Sequence, residues 1–155
     1  EIDKQNYLIP VDAVLDSMAV AKYDTILLDD AVEASINTDK LAMVLIDACR
    51  DNPFLAAMKG KNRSVGRGLS IIEVPSSSVN QIISFAAESG KVASDGTGSN
   101  GPYAMALIDL LGEPNLEVGK MFRRLGDRVT ELTGGEQTPV TRNRLSGDDI
   151  FLVVK

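Results

Sequence analysis

Leu41-Ala42-Met43-Val44-Leu45-Ile46-Asp47-Ala48-Cys49-Arg50-Asp51-Asn52-Pro53 sets six apolar residues directly against a charged turn. A continuous apolar run of this length suits a central parallel strand covered on both faces, because a half-solvated strand would alternate. The abrupt break after Ile46 puts Cys49 at the carboxyl edge of the sheet, where α/β proteins build their sites. Alternation along the strand sets the Asp47 side chain on the same side as Cys49. Asp47, Arg50 and Asp51 have no place in an apolar core, which argues against an inert, buried cysteine.

Upstream, Tyr7-Leu8-Ile9-Pro10-Val11 reads as a short strand stopped by proline, and Asp24 as the cap of a helix through Ile26, Leu27, Ala31 and Val32. Downstream, residues 59–68 carry Lys59, Lys61, Arg63 and Arg67 among Gly60, Gly66 and Gly68, and form an exposed basic loop. Strands are predicted at 69–74 and 81–86. A Gly/Ser/Asp-rich loop from Glu88 to Gly101 is closed by Pro102, which suits the first turn of a helix through Met105, Leu107, Ile108 and Leu111. Val118, Met121, Phe122, Leu125, Val129 and Leu132 share one helical face, with Lys120, Arg123, Asp127 and Glu131 off it. A last strand is expected at 150–154. Strands alternating with helices point to an α/β sandwich with a mainly parallel sheet.

The 155 residues suit one domain, and the net charge of -6 disfavours a nucleic-acid or anionic-membrane surface. The basic loop has no interleaved aromatic residue for stacking on bases. No apolar stretch is long enough for a membrane span. One cysteine excludes an internal disulfide, and with no histidine a Cys/His zinc site cannot be built. No metal or cofactor is assigned; Asp29-Asp30 and Asp148-Asp149 read as solvated surface charge. The chain opens at Glu1 without an initiator methionine and reads as a processed piece, so its compartment is left open.

The segment Val44-Leu45-Ile46-Asp47-Ala48-Cys49-Arg50-Asp51-Asn52-Pro53 resembles the nucleophile segment of bacterial caspase-like cysteine peptidases, relatives of metacaspases and paracaspases. Asn6-Tyr7-Leu8-Ile9-Pro10-Val11-Asp12-Ala13 is similar to the stretch after that family's catalytic His-Gly pair. Ser84-Phe85-Ala86-Ala87, Ala93-Ser94-Asp95-Gly96 and Asn100-Gly101-Pro102-Tyr103 resemble its next strand and substrate loop. Gly134-Gly135-Glu136-Gln137-Thr138-Pro139 resembles its late signature. The pieces occur in family order across nearly the whole chain.

The resemblance implies a three-layer α/β/α caspase-like sandwich of which this chain holds the later strands. Residues 1–58 would end the large-subunit region, 59–68 would be the interdomain loop, and 69–155 the small-subunit region. Cys49 would be the nucleophile and its backbone N–H an oxyanion donor, with the activating histidine on a segment upstream of Glu1. Asp47 and Asp95 would line the pocket for the residue before the scissile bond. Two carboxylates there favour an arginine or lysine guest of a polypeptide substrate. Arg50 keeps open the aspartate preference of caspases proper, and Asp95 also reads as a solvated loop acid. An enzyme of that specificity would cut itself after Lys61, Arg63 or Arg67, although the same loop also reads as a plain solvated connector. The strand at 150–154 would offer a homodimer edge. The absence of histidine also admits a caspase-like scaffold without catalysis.

Overall fold

The computed structural model describes residues 5–13, 23–48, 72–76, 79–88, 93 and 99–155. Their elements, in order, are β1 (Tyr7–Leu8), β2 (Ile26–Leu27), α1 (Leu28–Ala34), β3 (Ala42–Ile46), β4 (Gln81–Phe85), α2 (Pro102–Leu111), α3 (Val118–Leu132) and β5 (Val140–Arg144). β3, β4 and β5 form one sheet in that order, and β1 pairs with β2 in a separate antiparallel ladder.

The sheet is mixed. β3 runs parallel to β4 with Val44 opposite Ile83 and Ile46 opposite Phe85, and β5 runs antiparallel to β4 with Phe85 opposite Val140. All five residues of β4 are buried, whereas the three inner residues of β3 are only partly so. Among the described strands β4, and not β3, holds the middle position expected of the 41–46 run.

Alternation along β3 and β4 sorts their side chains into two cores. Ile46, Ile83 and Phe85 pack with Leu28 and Val32 of α1 and with Ile72 on one face. On the other, Ile82 packs under Tyr103 and Ala106 of α2 and Val118, Met121, Phe122, Leu125 and Val129 of α3, with Met43 and Leu45 alongside. Helices thus cover both faces, which is the α/β/α layering anticipated for the chain.

α3 follows its sequence pattern closely: the five apolar positions through Val129 are buried, and Lys120, Arg123, Asp127 and Glu131 are exposed. Glu117 caps it, its carboxylate accepting from the Gly119 N–H at 2.6 Å and the Lys120 N–H at 2.7 Å. At the far end the Gly134 N–H bonds the Glu131 carbonyl and the Gly135 N–H the Thr130 carbonyl, the paired reverse bonds of a Schellman stop. Both glycines have positive φ, 61° and 88°, where a side chain would be strained.

Three expectations need correcting. Ile26 and Leu27 are strand, and α1 starts at Leu28 with no side-chain cap from Asp24; pairing with Tyr7 and Leu8 outweighs the local helix signal. Residues 72–74 of the strand expected at 69–74 are irregular, while 69–71 lie outside the described residues. The helix expected through Met105, Leu107, Ile108 and Leu111 is present as α2, and because it is apolar nearly all round its Met105 and Ile108 face solvent.

The last correction concerns the chain end. Residues 150–154 form no strand beyond a single bridge from Phe151 to Glu117, and the expected homodimer edge at 150–154 is therefore absent as a strand. The segment instead ties off the start of α3. The Ile150 carbonyl accepts from the Val118 N–H at 2.8 Å, and the Val153 carbonyl from the Asn115 N–H at 2.9 Å. Among the described strands β5 is one of the two edges of the sheet, and its Arg142, Asn143 and Arg144 are exposed; charge on an edge discourages pairing with another chain.

Candidate active site

β3 and β4 are parallel and end together. Beyond the last register pair, Ile46 with Phe85, the Ala86 N–H donates to the Ile46 carbonyl at 3.0 Å. The two segments that leave these strands therefore start side by side at one edge of the sheet. The first begins at Asp47, which is exposed, and continues three residues beyond Ile46 to Cys49. The second passes through buried Ala86, Ala87 and Ala93 toward Asp95.

Asp47 is the one proposed site residue that the structure describes. Cys49, Asp95, Arg50 and the loop residues Lys61, Arg63 and Arg67 lie outside the described residues. Among the described residues, no three His, Cys, Asp or Glu side chains gather where they could hold a metal, and no helix is long and apolar enough to cross a membrane.

The structure adds three side chains that the sequence did not single out by role. Gln137 is buried and donates from Nε2 to the Ala86 carbonyl at 2.9 Å, so Ala86 is held by β3 at its N–H and by Gln137 at its carbonyl. The Gln137 N–H is itself held by Thr133 Oγ1 at 3.0 Å, and Thr133 Oγ1 bonds the Val129 carbonyl at 2.8 Å. A hydrogen-bonded line thus runs from the end of α3 to the end of β3. It gives the Gly134–Pro139 signature a physical role: the double-glycine stop turns the chain back so that an amide reaches the sheet edge.

The other two are Ser84 and Tyr103. Ser84 is buried in β4 opposite Leu45, and its hydroxyl shares a 3.1 Å bond with Thr141 Oγ1 of β5. Tyr103, in the first turn of α2, lies under the same sheet face, and burial pushes its hydroxyl up to about 12. The nearby Ser84 hydroxyl offsets part of that penalty, and the Asp47 charge adds to it. A signal for Tyr103 does exist in sequence: a tyrosine among alanines at a helix start has a polar tip with few local partners.

A profile of the Caspase domain matches residues 1–149. The chain belongs to the caspase-domain peptidase family. No curated protein matches it significantly. Membership gives the caspase domain a cysteine-peptidase type of function and agrees with its α/β sandwich and mixed sheet. It also agrees with the sequence segments that resemble the family, from Asn6-Tyr7 to Gln137-Thr138-Pro139.

Proposed function

We propose that this caspase domain is a cysteine endopeptidase cleaving polypeptides after arginine or lysine, with Cys49 as nucleophile and Asp47 and Asp95 as the acids that receive the cationic side chain. The observation that carries this reading is the shared end of β3 and β4. Exposed Asp47 stands at that end, Cys49 follows it by two residues, and the strand that leads to Asp95 is bonded to it through Ala86 and Ile46.

The chemistry requires a thiolate, and a cysteine of ordinary pKa near ~8.5 is mostly protonated at neutral pH unless a base stands beside it. With no histidine among the 155 residues, the base is proposed to come from an upstream segment of the same domain. It takes the thiol proton as sulfur adds to the scissile carbonyl, the Cys49 N–H receives the oxyanion, and the proton passes to the leaving amine as the C–N bond breaks. Water then releases the acyl group. Residues 1–58 and 69–155 act as large-subunit and small-subunit regions, and the basic loop between them, with Lys61, Arg63 and Arg67, is a self-cleavage segment for an enzyme of this specificity.

The test is Cys49→Ala in the full-length protein, read with arginyl-, lysyl- and aspartyl-amide reporters and with a denaturing gel for self-cleavage. Both activities are expected to disappear, with the wild type favouring the basic reporters. Unchanged arginyl hydrolysis by the variant would reject Cys49 as nucleophile.

The absence of histidine favours one second reading, a caspase-like interaction scaffold without turnover. A peptidyl-arginyl chloromethylketone separates the two: mass added at Cys49 of the full-length protein supports the peptidase, and an unmodified thiol supports the scaffold.

A further inference from the structure

Tyr103 is 1% exposed, and among the described residues its hydroxyl has no well-formed hydrogen bond: the Ser84 hydroxyl lies near enough to lower its pKa but not to satisfy it. Such a group forfeits its bonds to water and gains nothing in return, so buried, unpaired hydroxyls are rare and call for an explanation. Phenylalanine would fill the same space without that cost. Tyr103 shares a buried cluster with Ala86, Ala87 and Ala93, the residues that follow β4 in the chain. The Ser84 hydroxyl beside it is engaged with Thr141 at 3.1 Å. Asp47, two residues beyond Leu45 on the same sheet face, is close enough for its charge to act on the phenol.

We propose that Tyr103 is a positioning residue for substrate recognition, its buried hydroxyl donating a hydrogen bond to Asp47 when a cationic substrate side chain draws that carboxylate into the pocket. The inference rests on the basic specificity proposed above. A phenol held up to about 12 stays protonated, and so remains a donor, throughout the range in which a cysteine peptidase works. Only an acceptor brought close satisfies it, and Asp47 is the acid whose charge it already feels. The bond fixes the carboxylate toward the guest; Tyr103 itself does not touch the substrate.

The experiment labels Cys49 of the full-length protein with a peptidyl-arginyl chloromethylketone, its leucyl counterpart and iodoacetamide. Saturation kinetics separate KI, which reads the pocket, from kinact, which reads the thiol. Tyr103→Phe is expected to raise the arginyl KI about tenfold, the loss of one hydrogen bond to a charged group. The maximal rate, the leucyl KI and the iodoacetamide rate should not move, and the melting temperature should hold or rise. In an Asp47→Asn background the same substitution should change KI no further, because the tyrosine acts through that carboxylate.

An unchanged arginyl KI in Tyr103→Phe, beside a wild type that prefers the arginyl reagent, overturns the inference and leaves the basic specificity standing. A wild type with no preference for the arginyl reagent overturns both. A lowered melting temperature in Tyr103→Phe also overturns it, since the hydroxyl would then be holding the fold.

Discussion

Ionising Tyr103 would bury a phenolate, and that single group makes stability depend on pH in a definite window. In the unfolded chain its pKa is the ordinary 10.0; in the folded chain it is about 12. Below pH 10 both states keep the proton and the group adds no slope. Between 10 and 12 the unfolded chain loses the proton first and is favoured, so stability falls as pH rises, by about 2–3 kcal/mol across the window. Urea midpoints from pH 9 to 12 should show this loss in the wild type. Tyr103→Phe should lack this component, and identical slopes in the two proteins would show that the phenol is not held neutral. At this scale the sequence points to Asp47, a charged residue ending an apolar run, and to Cys49, the chain's one thiol; the structure leaves Asp47 exposed at the end of β3, and Cys49 lies outside the described residues. Tyr103 and Gln137 were not assigned a role, because whether a polar tip is buried depends on what packs over it.

Among the elements, α3 was readable because its apolar residues from Val118 to Leu132 fall at helical spacing, while the cap and the stop that bound it came from the structure. The apolar stripe fixes its face, Glu117 starts it and Gly134-Gly135 ends it. β4 and the proline start of α2 were read for similar reasons. β5 was missed: Val140-Thr141-Arg142-Asn143-Arg144 has little apolar content, and its strand state comes from pairing with β4 rather than from its own pattern. The apolar 150–154 was taken for that strand instead, although its backbone is spent on the start of α3. The Gln137 brace joins two elements and gives a prediction at their scale. Gln137→Met keeps the volume but leaves the buried Ala86 carbonyl without its 2.9 Å donor, at a cost of about 1–3 kcal/mol. The urea midpoint should drop accordingly. Amide exchange at Ala86, the unit bonded to Ile46, should quicken more than at Ile82 in the middle of β4. Equal acceleration at both would mean that Gln137 supports the sheet generally and not its site end.

Across the whole molecule, the contacts that join the two sides of the 59–68 loop determine what a cut there does. β3 lies before the loop and β4 after it, and they share a five-residue parallel ladder. Gln81 reaches back from the later part to the Val32 carbonyl at 3.1 Å and Ser35 Oγ at 2.8 Å. The core on the α1 face of the sheet is built jointly, with Leu28, Val32 and Ile46 from the earlier part and Ile72, Ile83 and Phe85 from the later. Burying each of these side chains is worth about 1.5–3 kcal/mol, so parting the two pieces would re-expose a large share of the apolar surface that drives folding. Cleavage should therefore leave a nicked but assembled domain. The check uses Cys49→Ala, to remove the proposed self-cleavage, with a foreign protease site placed within 59–68. After digestion the protein should run as two fragments on a denaturing gel yet elute from a sizing column as one species at the uncut volume, and separate only in urea. Fragments that part in native buffer would show that the β3–β4 ladder and its core do not hold the halves together, and that a cut in the loop would dismantle the site instead of maturing it.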